Sequence, residues 1–171
     1  MGVKTRAALV TVAFTALAFL IQPMTPLGGA LWGPMPDEGP DPTPTQLGLL
    51  VVATLVEAVA FGVGVAFLMF ARRIPQSMPG PRGAAWASYA AVGWGLMSWT
   101  PHGALHATNG ENLARLIVIE YTFHITLIAA TLAIAWFLVG VARVSRGRQA
   151  PLERAIAGPA ASGRAPSARR A

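Results

Sequence analysis

Five ionisable side chains lie in apolar stretches of the sequence, where such groups are rare. They are Glu57, His102, His106, Glu120 and His124, and they include all three histidines of the chain. An ionised carboxylate near the middle of a bilayer costs on the order of 2.5–3.5 kcal/mol on insertion scales. We therefore expect the two carboxylates either to stay protonated or to be compensated by a cation.

The spacing of these residues favours shared ligation. His102 and His106 are four residues apart, as are Glu120 and His124. Four residues make about one helical turn, so each pair projects from one face of a helix. Helices hold metal ions with donors placed one turn apart in this way.

The types of donor limit the chemistry of such a site. Imidazole and carboxylate ligands suit iron, copper(II), zinc or manganese. The chain has no cysteine, which excludes thiolate ligands, disulfides and iron–sulfur clusters. The donors are numerous enough for one ion or for a carboxylate-bridged pair of ions. The predicted metal ligands are Glu57, His102, His106, Glu120 and His124.

The composition indicates which elements hold these residues. Hydrophobic residues make up 54% of the 171-residue chain and charged residues only 12%, whereas soluble domains carry about a quarter charged residues. The charges cluster between long apolar stretches, which is typical of repeated bilayer crossings. The positive charges behind the net charge of +6 flank the apolar stretches. The lipid bilayer is therefore the expected partner, and nucleic acid is not.

The apolar stretches predict an all-α integral membrane protein with four transmembrane helices in an up-and-down bundle. We place the helices at 7–21, 47–70, 84–109 and 113–141, the third continuing through a kink at Pro101. The first helix has the alternative interpretation of a cleaved signal peptide, although we favour its retention.

Two segments outside these helices are expected to be irregular. Residues 23–45 are rich in Pro and Gly, and we expect no regular structure there. The Arg-rich segment 145–171 also contains much Ala, Gly, Pro and Ser, so we expect a disordered cytoplasmic tail. The transmembrane domain is accordingly predicted to span residues 1–144.

The charged residues between the helices predict the orientation. Basic residues precede the first helix, separate the second from the third and follow the fourth: Lys4, Arg6, Arg72, Arg73, Arg82, Arg143, Arg146 and Arg148. The opposite side holds acidic residues, with Arg115 as its only basic residue. Cytoplasmic loops retain Lys and Arg, so both termini are predicted to be cytoplasmic. The Ala, Gly and Arg bias suggests a bacterial chain, located in the inner membrane.

Counting along the helices places the ionisable residues at similar depths. At 1.5 Å per residue, Glu57, His102 and Glu120 fall in one layer of the membrane. His106 falls just above this layer and His124 just below it. The sequence therefore allows all five side chains to meet in one site.

Three hypotheses for function follow, and the sequence does not decide whether the protein is an enzyme. The first is a small membrane metalloprotein, in redox chemistry or in metal handling for another complex. The second is a haem-binding bundle, with His124 and a histidine of the third helix as axial ligands. The third is an accessory or proton-coupled subunit in which Glu57, Glu120 and His124 exchange protons. A homo-oligomer or a larger membrane complex is compatible with all three.

Overall fold

The computed structural model describes residues 1–36, 42–109 and 112–156, with side chains described as far as Arg146. Every regular element in these ranges is helical. In chain order the elements are α1 (Val3–Leu20), α2 (Pro26–Trp32), α3 (Pro44–Phe70), α4 (Arg73–Ser77), α5 (Arg82–Met97), α6 (Trp99–Asn109), α7 (Leu113–Glu120), a π-helical turn (Tyr121–Ile125) and α8 (Thr126–Ile156). The prediction of an all-α chain is confirmed.

Three helical stretches are long and apolar enough to cross a membrane. They are α1, α3 and the continuous stretch Leu113–Arg146, which runs from α7 through the π-helical turn into α8. These stretches correspond to the first, second and fourth predicted spans, and they indicate a multi-pass membrane protein. The third predicted span, 84–109, is divided between α5 and α6 at Ser98.

Pro101 explains the division between α5 and α6. Proline has no N–H group, so position 101 cannot donate to the carbonyl oxygen of Met97, where α5 ends. The N–H of His102 donates to the carbonyl oxygen of Ser98 at 3.0 Å, so helical bonding resumes at once. The interruption predicted near Pro101 is confirmed.

The long helices form a row in which α1 packs on α3, α3 on α5, and α5 on α8. Small residues permit the close approaches: Gly62 of α3 faces Thr11 and Thr15 of α1, and Gly93 of α5 faces Leu68 of α3. Within the described residues α1 and α8 do not pack along one another. The arrangement is therefore an open row, a packing order that the predicted up-and-down bundle did not specify. Sequence spacing indicates which face of a helix carries small residues, but not which other helix packs against that face.

The segment 23–45 contains a helix that the sequence analysis did not expect. Thr25 caps α2 by accepting a hydrogen bond from the N–H of Gly28 at 3.0 Å, and proline follows at the first helical position. Gly33 ends α2 with a φ of 97°, which glycine adopts without strain. The expectation of irregular chain was wrong for α2, and 37–41 lie outside the described residues.

The last helix extends further than expected. We placed the end of the fourth span at 141 and the start of an irregular tail at 145, whereas α8 continues to Ile156. The added stretch contains Arg, Gln, Ala, Leu and Glu, which favour helices, and it continues through Gly147 and Pro151, which do not. Residues 157–171 lie outside the described part of the chain.

Candidate functional site

The connection between α6 and α7 places the two pairs of predicted ligands side by side. The side chain of Asn112 caps α7 by accepting a hydrogen bond from the N–H of Arg115 at 3.1 Å. The Arg115 guanidinium in turn donates to Oδ1 of Asn109 at 2.8 Å. These bonds join the end of α6 to the start of α7, so the histidines of α6 face the helix that carries Glu120.

The carboxylate of Glu120 lies between two imidazoles. Nε2 of His106 is 3.3 Å from Oε1 of Glu120, across the boundary between the helices. Nδ1 of His124, one turn further along, contacts the other oxygen, Oε2. A carboxylate accepts hydrogen bonds at both oxygens, so Glu120 fixes the orientation of both rings when each carries a proton on the facing nitrogen.

His102 completes the group, which we call the His/Glu cluster: His102, His106, Glu120 and His124. The His102 ring centroid is 4.6 Å from that of His106 and 5.0 Å from that of His124, with ring planes at 79° and 82°. Nε2 of His102 is buried and has no hydrogen-bond partner among the described residues. Such an atom costs about 1–3 kcal/mol when it stays unpaired, which makes it a place to expect a ligand.

Aromatic rings shield one side of the cluster. Phe123 is buried with its ring centroid 5.0 Å from that of His102, and Trp94 stacks on Phe123 at 5.9 Å. Trp99 meets His102 edge-on at 6.1 Å. The sequence analysis did not assign these rings to the site. The spacing of three residues between Trp99 and His102 is the signal that indicates their contact.

The helix widens where it carries His124. Residues Tyr121–Ile125 form a single π-helical turn directly after Glu120. The hydroxyl of Thr126 donates to the carbonyl oxygen of Phe123 at 3.1 Å and also to that of Thr122, so carbonyls at the irregular turn are paired. Single π-helical turns occur often at functional sites. Nothing in the sequence pattern had predicted this turn.

Glu57 lies beside the cluster without joining it. Its carboxylate faces the backbone of Gly103, where an added Cβ would be 3.1 Å from Oε2. The hydroxyl of Thr100 donates to the carbonyl oxygen of Glu57 at 3.2 Å, holding α3 against α6. Among the described residues, no ion pair or hydrogen bond links the Glu57 carboxylate to a histidine. A ligand role for Glu57 stays a prediction.

The cluster is open on one side of the row of helices. The side chains of His106, Glu120 and His124 are 35%, 45% and 49% exposed. A groove of about 460 Å³ begins at His124 and follows α8, lined also by Leu127, Ile128, Thr131 and Leu132. A ligand can therefore approach the cluster from the side of the protein.

The donor atoms do not converge as a formed metal site. Within residues 1–36, 42–109 and 112–146, no group of three or more His, Asp or Glu side chains meets the geometry for holding a metal ion. The spacing of the histidine rings is nevertheless compatible with a bound metal ion. An ion about 2.1 Å from each ligating nitrogen, at angles of roughly 90–110°, places ring centroids roughly 4.6–5.3 Å apart. The two measured spacings fall in this range.

The interpretation of the His/Glu cluster depends on its own geometry. No protein-family model, no curated protein and no solved structure matches this chain.

Proposed function

We propose that this chain is a small multi-pass membrane protein whose His/Glu cluster binds a transition-metal ion. The observation that carries the proposal is the gathering of three imidazoles and the Glu120 carboxylate, in which His106 and His124 contact Glu120 and His102 lies against both rings. Nitrogen and carboxylate oxygen donors suit iron, copper(II), zinc or manganese. The buried, unpaired Nε2 of His102 supports the proposal, because metal ligation would supply its missing partner.

The proposal includes four membrane spans, the third formed by α5 and α6 together. Both helices belong to the row, and helical bonding resumes at His102 immediately after the break. The basic residues around α4 and after α8 favour the cytoplasm for that end of the fold and for both termini. The cluster then lies in the outer half of a bacterial inner membrane.

Ligation requires small movements of side chains. His106 and His124 now direct one nitrogen each at Glu120, and rotation about their side-chain bonds would turn these nitrogens toward a shared ion. A metal competes with protons for imidazole and carboxylate, so binding would release protons and strengthen as the pH rises. Metal handling and redox chemistry both remain within this proposal.

The spacing of the rings favours a bare ion over haem. Two axial imidazoles on opposite sides of a haem iron have ring centroids about 6.4 Å apart, with the macrocycle between them. The centroids of His102 and His124 are 5.0 Å apart, and Phe123 packs against His102. Haem ligation by His102 and His124 would require these two rings to separate and Phe123 to move away.

Elemental analysis and an absorption spectrum of the same detergent-purified sample test the proposal. We expect about one transition-metal ion per chain and no Soret band. Glu120→Gln and His124→Gln should each lose the ion, whereas Thr131→Val, on the same groove of α8, should keep it. Added metal at a hundred times its Kd should stabilise the native protein by about 2.7 kcal/mol. A metal-free protein whose unfolding does not change with added iron, copper, zinc or manganese would overturn the proposal.

One observation favours a second function, proton transfer. His106, Glu120 and His124 form a continuous chain of contacts in which each imidazole meets one carboxylate oxygen. Such a chain can pass a proton by exchange of hydrogen bonds without any metal. Proton flux in vesicles that is abolished by Glu120→Gln and unaffected by chelators would favour this function over metal binding.

A further inference from the structure

An apolar cavity lies at the end of the fold opposite to the His/Glu cluster. It has a volume of about 180 Å³, is open on one side, and is lined by residues of α3, α4, α5 and α8 and by Met78 directly after α4. Its walls include Phe67, Ile74, Met78, Val92, Phe137 and Leu138. Four separate helices thus contribute large apolar side chains to one space.

The polar groups in the cavity wall are already paired. The hydroxyl of Tyr89 donates to the carbonyl oxygen of Phe67 at 3.2 Å and also to that of Leu68. The hydroxyl of Ser88 donates to the carbonyl oxygen of Ala133 at 3.1 Å. Cavities with such walls hold apolar molecules in preference to water. The interior therefore suits a hydrocarbon chain.

The segment 71–83, which carries the lining residues Ile74, Pro75 and Met78 and which we call the rim, is strongly basic. Arg73 directly precedes the lining residue Ile74, and Arg82 lies three residues before the lining residue Ala85. Both arginines are exposed, as is Arg72, and the segment 71–83 contains no Asp or Glu. Residues at the start of α5 also adjoin α8, because a Cβ on Gly140 would be 3.7 Å from Cδ of Pro81. The chain on both sides of these lining residues thus carries positive charge and no negative charge.

We propose that this cavity binds an acyl chain of an anionic phospholipid, with the lipid phosphate at Arg73 and Arg82. Hydrocarbon walls and a cationic rim complement an amphiphile that has an apolar chain and a negative head group. Basic pockets between membrane helices on the cytoplasmic side bind anionic head groups in this way. A free phosphate would not occupy the cavity, and a zwitterionic lipid would gain less from the rim. The lipid site is separate from the His/Glu cluster.

Native mass spectrometry of the detergent-purified full chain, exchanged against equal amounts of phosphatidylglycerol and phosphatidylcholine, tests the proposal. We expect one retained lipid per chain, predominantly phosphatidylglycerol. The double variant Arg73→Gln with Arg82→Gln should lower the preference for phosphatidylglycerol on the order of tenfold. The double variant Lys4→Gln with Arg6→Gln removes the same charge from the exposed start of α1 and should leave the preference unchanged.

Two further variants test the cavity itself. Val92→Phe adds a ring to the cavity wall, and Met78→Trp does the same from the exposed end of α4, where folding tolerates a larger side chain. Each should abolish retention of the lipid. Full retention by both variants, or an equal loss of preference in the rim and control double variants, would refute the lipid site. Metal content should not change in any of these variants, so the lipid site and the metal site fail or succeed separately.

Discussion

The carboxylate of Glu57 rests against the backbone of Gly103, the residue that follows His102 in α6. A Cβ at position 103 would be only 3.1 Å from Oε2 of Glu57. The hydroxyl of Thr100 donates to the carbonyl oxygen of Glu57 at 3.2 Å, one turn earlier on α6. The absence of a side chain at Gly103 therefore allows an acidic residue of α3 to approach α6 at the level of the His/Glu cluster.

Alanine at position 103 should stabilise the protein less than alanine at a glycine in open space. Alanine favours a helix over glycine by about 1 kcal/mol, and Gly95→Ala should show this gain because nothing lies within 4 Å of its Cβ position. At position 103 the new methyl group must push the carboxylate of Glu57 aside by a few tenths of an ångström. We expect the free energy of unfolding in detergent to be about 1 kcal/mol lower for Gly103→Ala than for Gly95→Ala. In a Glu57→Ala background this difference should vanish.

Pro101→Ala should straighten the junction of α5 and α6 and weaken metal binding. Alanine at 101 has an N–H that can donate to the carbonyl oxygen of Met97, so the free energy of unfolding should rise by about 1 kcal/mol. The histidines of α6 would rotate relative to Glu120, and we expect the affinity for the metal to fall on the order of tenfold. Isothermal titration with zinc measures the affinity.

Pro44→Ala is the matched control for this prediction. Pro44 is the first residue of α3, where the N–H would have no partner within the helix. Its replacement should change neither the stability nor the metal affinity by a measurable amount. Equal metal affinities for Pro101→Ala and the unmodified chain would mean that the break does not position the site.

Three of the four predicted spans correspond to helices long and apolar enough to cross a membrane, because apolar length is a local property of the sequence. The start of the fourth helix at Leu113 and the interruption near Pro101 depend on single residues with known conformational preferences. The gathering of His102, His106, Glu120 and His124 was also predictable, since a tight connection makes α6 and α7 neighbours.

Other features depend on contacts distant in the sequence. The open row of helices depends on the choice of packing partner for each surface of small residues. Gly62 of α3, for example, packs against Thr11 and Thr15 of α1. The π-helical turn at Tyr121–Ile125 contains one residue more than an α-helical turn. Neither the composition nor the periodicity of the sequence predicts it. The separation of Glu57 from the histidines follows from its position against Gly103. A depth count assigns Glu57 to a layer of the membrane but cannot give the direction of its side chain.

Thr126→Val should weaken the π-helical turn and loosen His124. The lost hydroxyl donates to the carbonyl oxygens of Thr122 and Phe123 in the turn. We expect a loss of about 1 kcal/mol in the free energy of unfolding, because the carbonyl of Thr122 would lose this donor in an apolar environment, whereas that of Phe123 keeps the N–H of Thr126. The resonances of the His124 ring in a ¹⁵N-labelled sample should broaden as its position becomes less fixed.

Thr131→Val tests whether the effect belongs to the turn. The hydroxyl of Thr131 also donates to a carbonyl four residues earlier, that of Leu127 at 2.9 Å, but in a regular part of α8. That carbonyl keeps its helical partner, so Thr131→Val should cost less than about 0.5 kcal/mol. If the hydroxyl does not stabilise the π-helical turn in particular, the two variants should lose equal amounts of unfolding free energy.

Copper(II) added to the protein should quench tryptophan fluorescence mainly through Trp99. Of the chain's five tryptophans, Trp99 contacts the cluster directly, with its ring centroid 6.1 Å from that of His102. Quenching by a paramagnetic ion acts over short distances, so an ion bound at His102 should affect Trp99 most. Trp99→Phe should therefore remove the largest part of a saturable quench, whereas Trp136→Phe, on the exposed side of α8, should leave it intact. A quench that is linear in copper and survives His102→Ala would come from collisions and would count against the metal site.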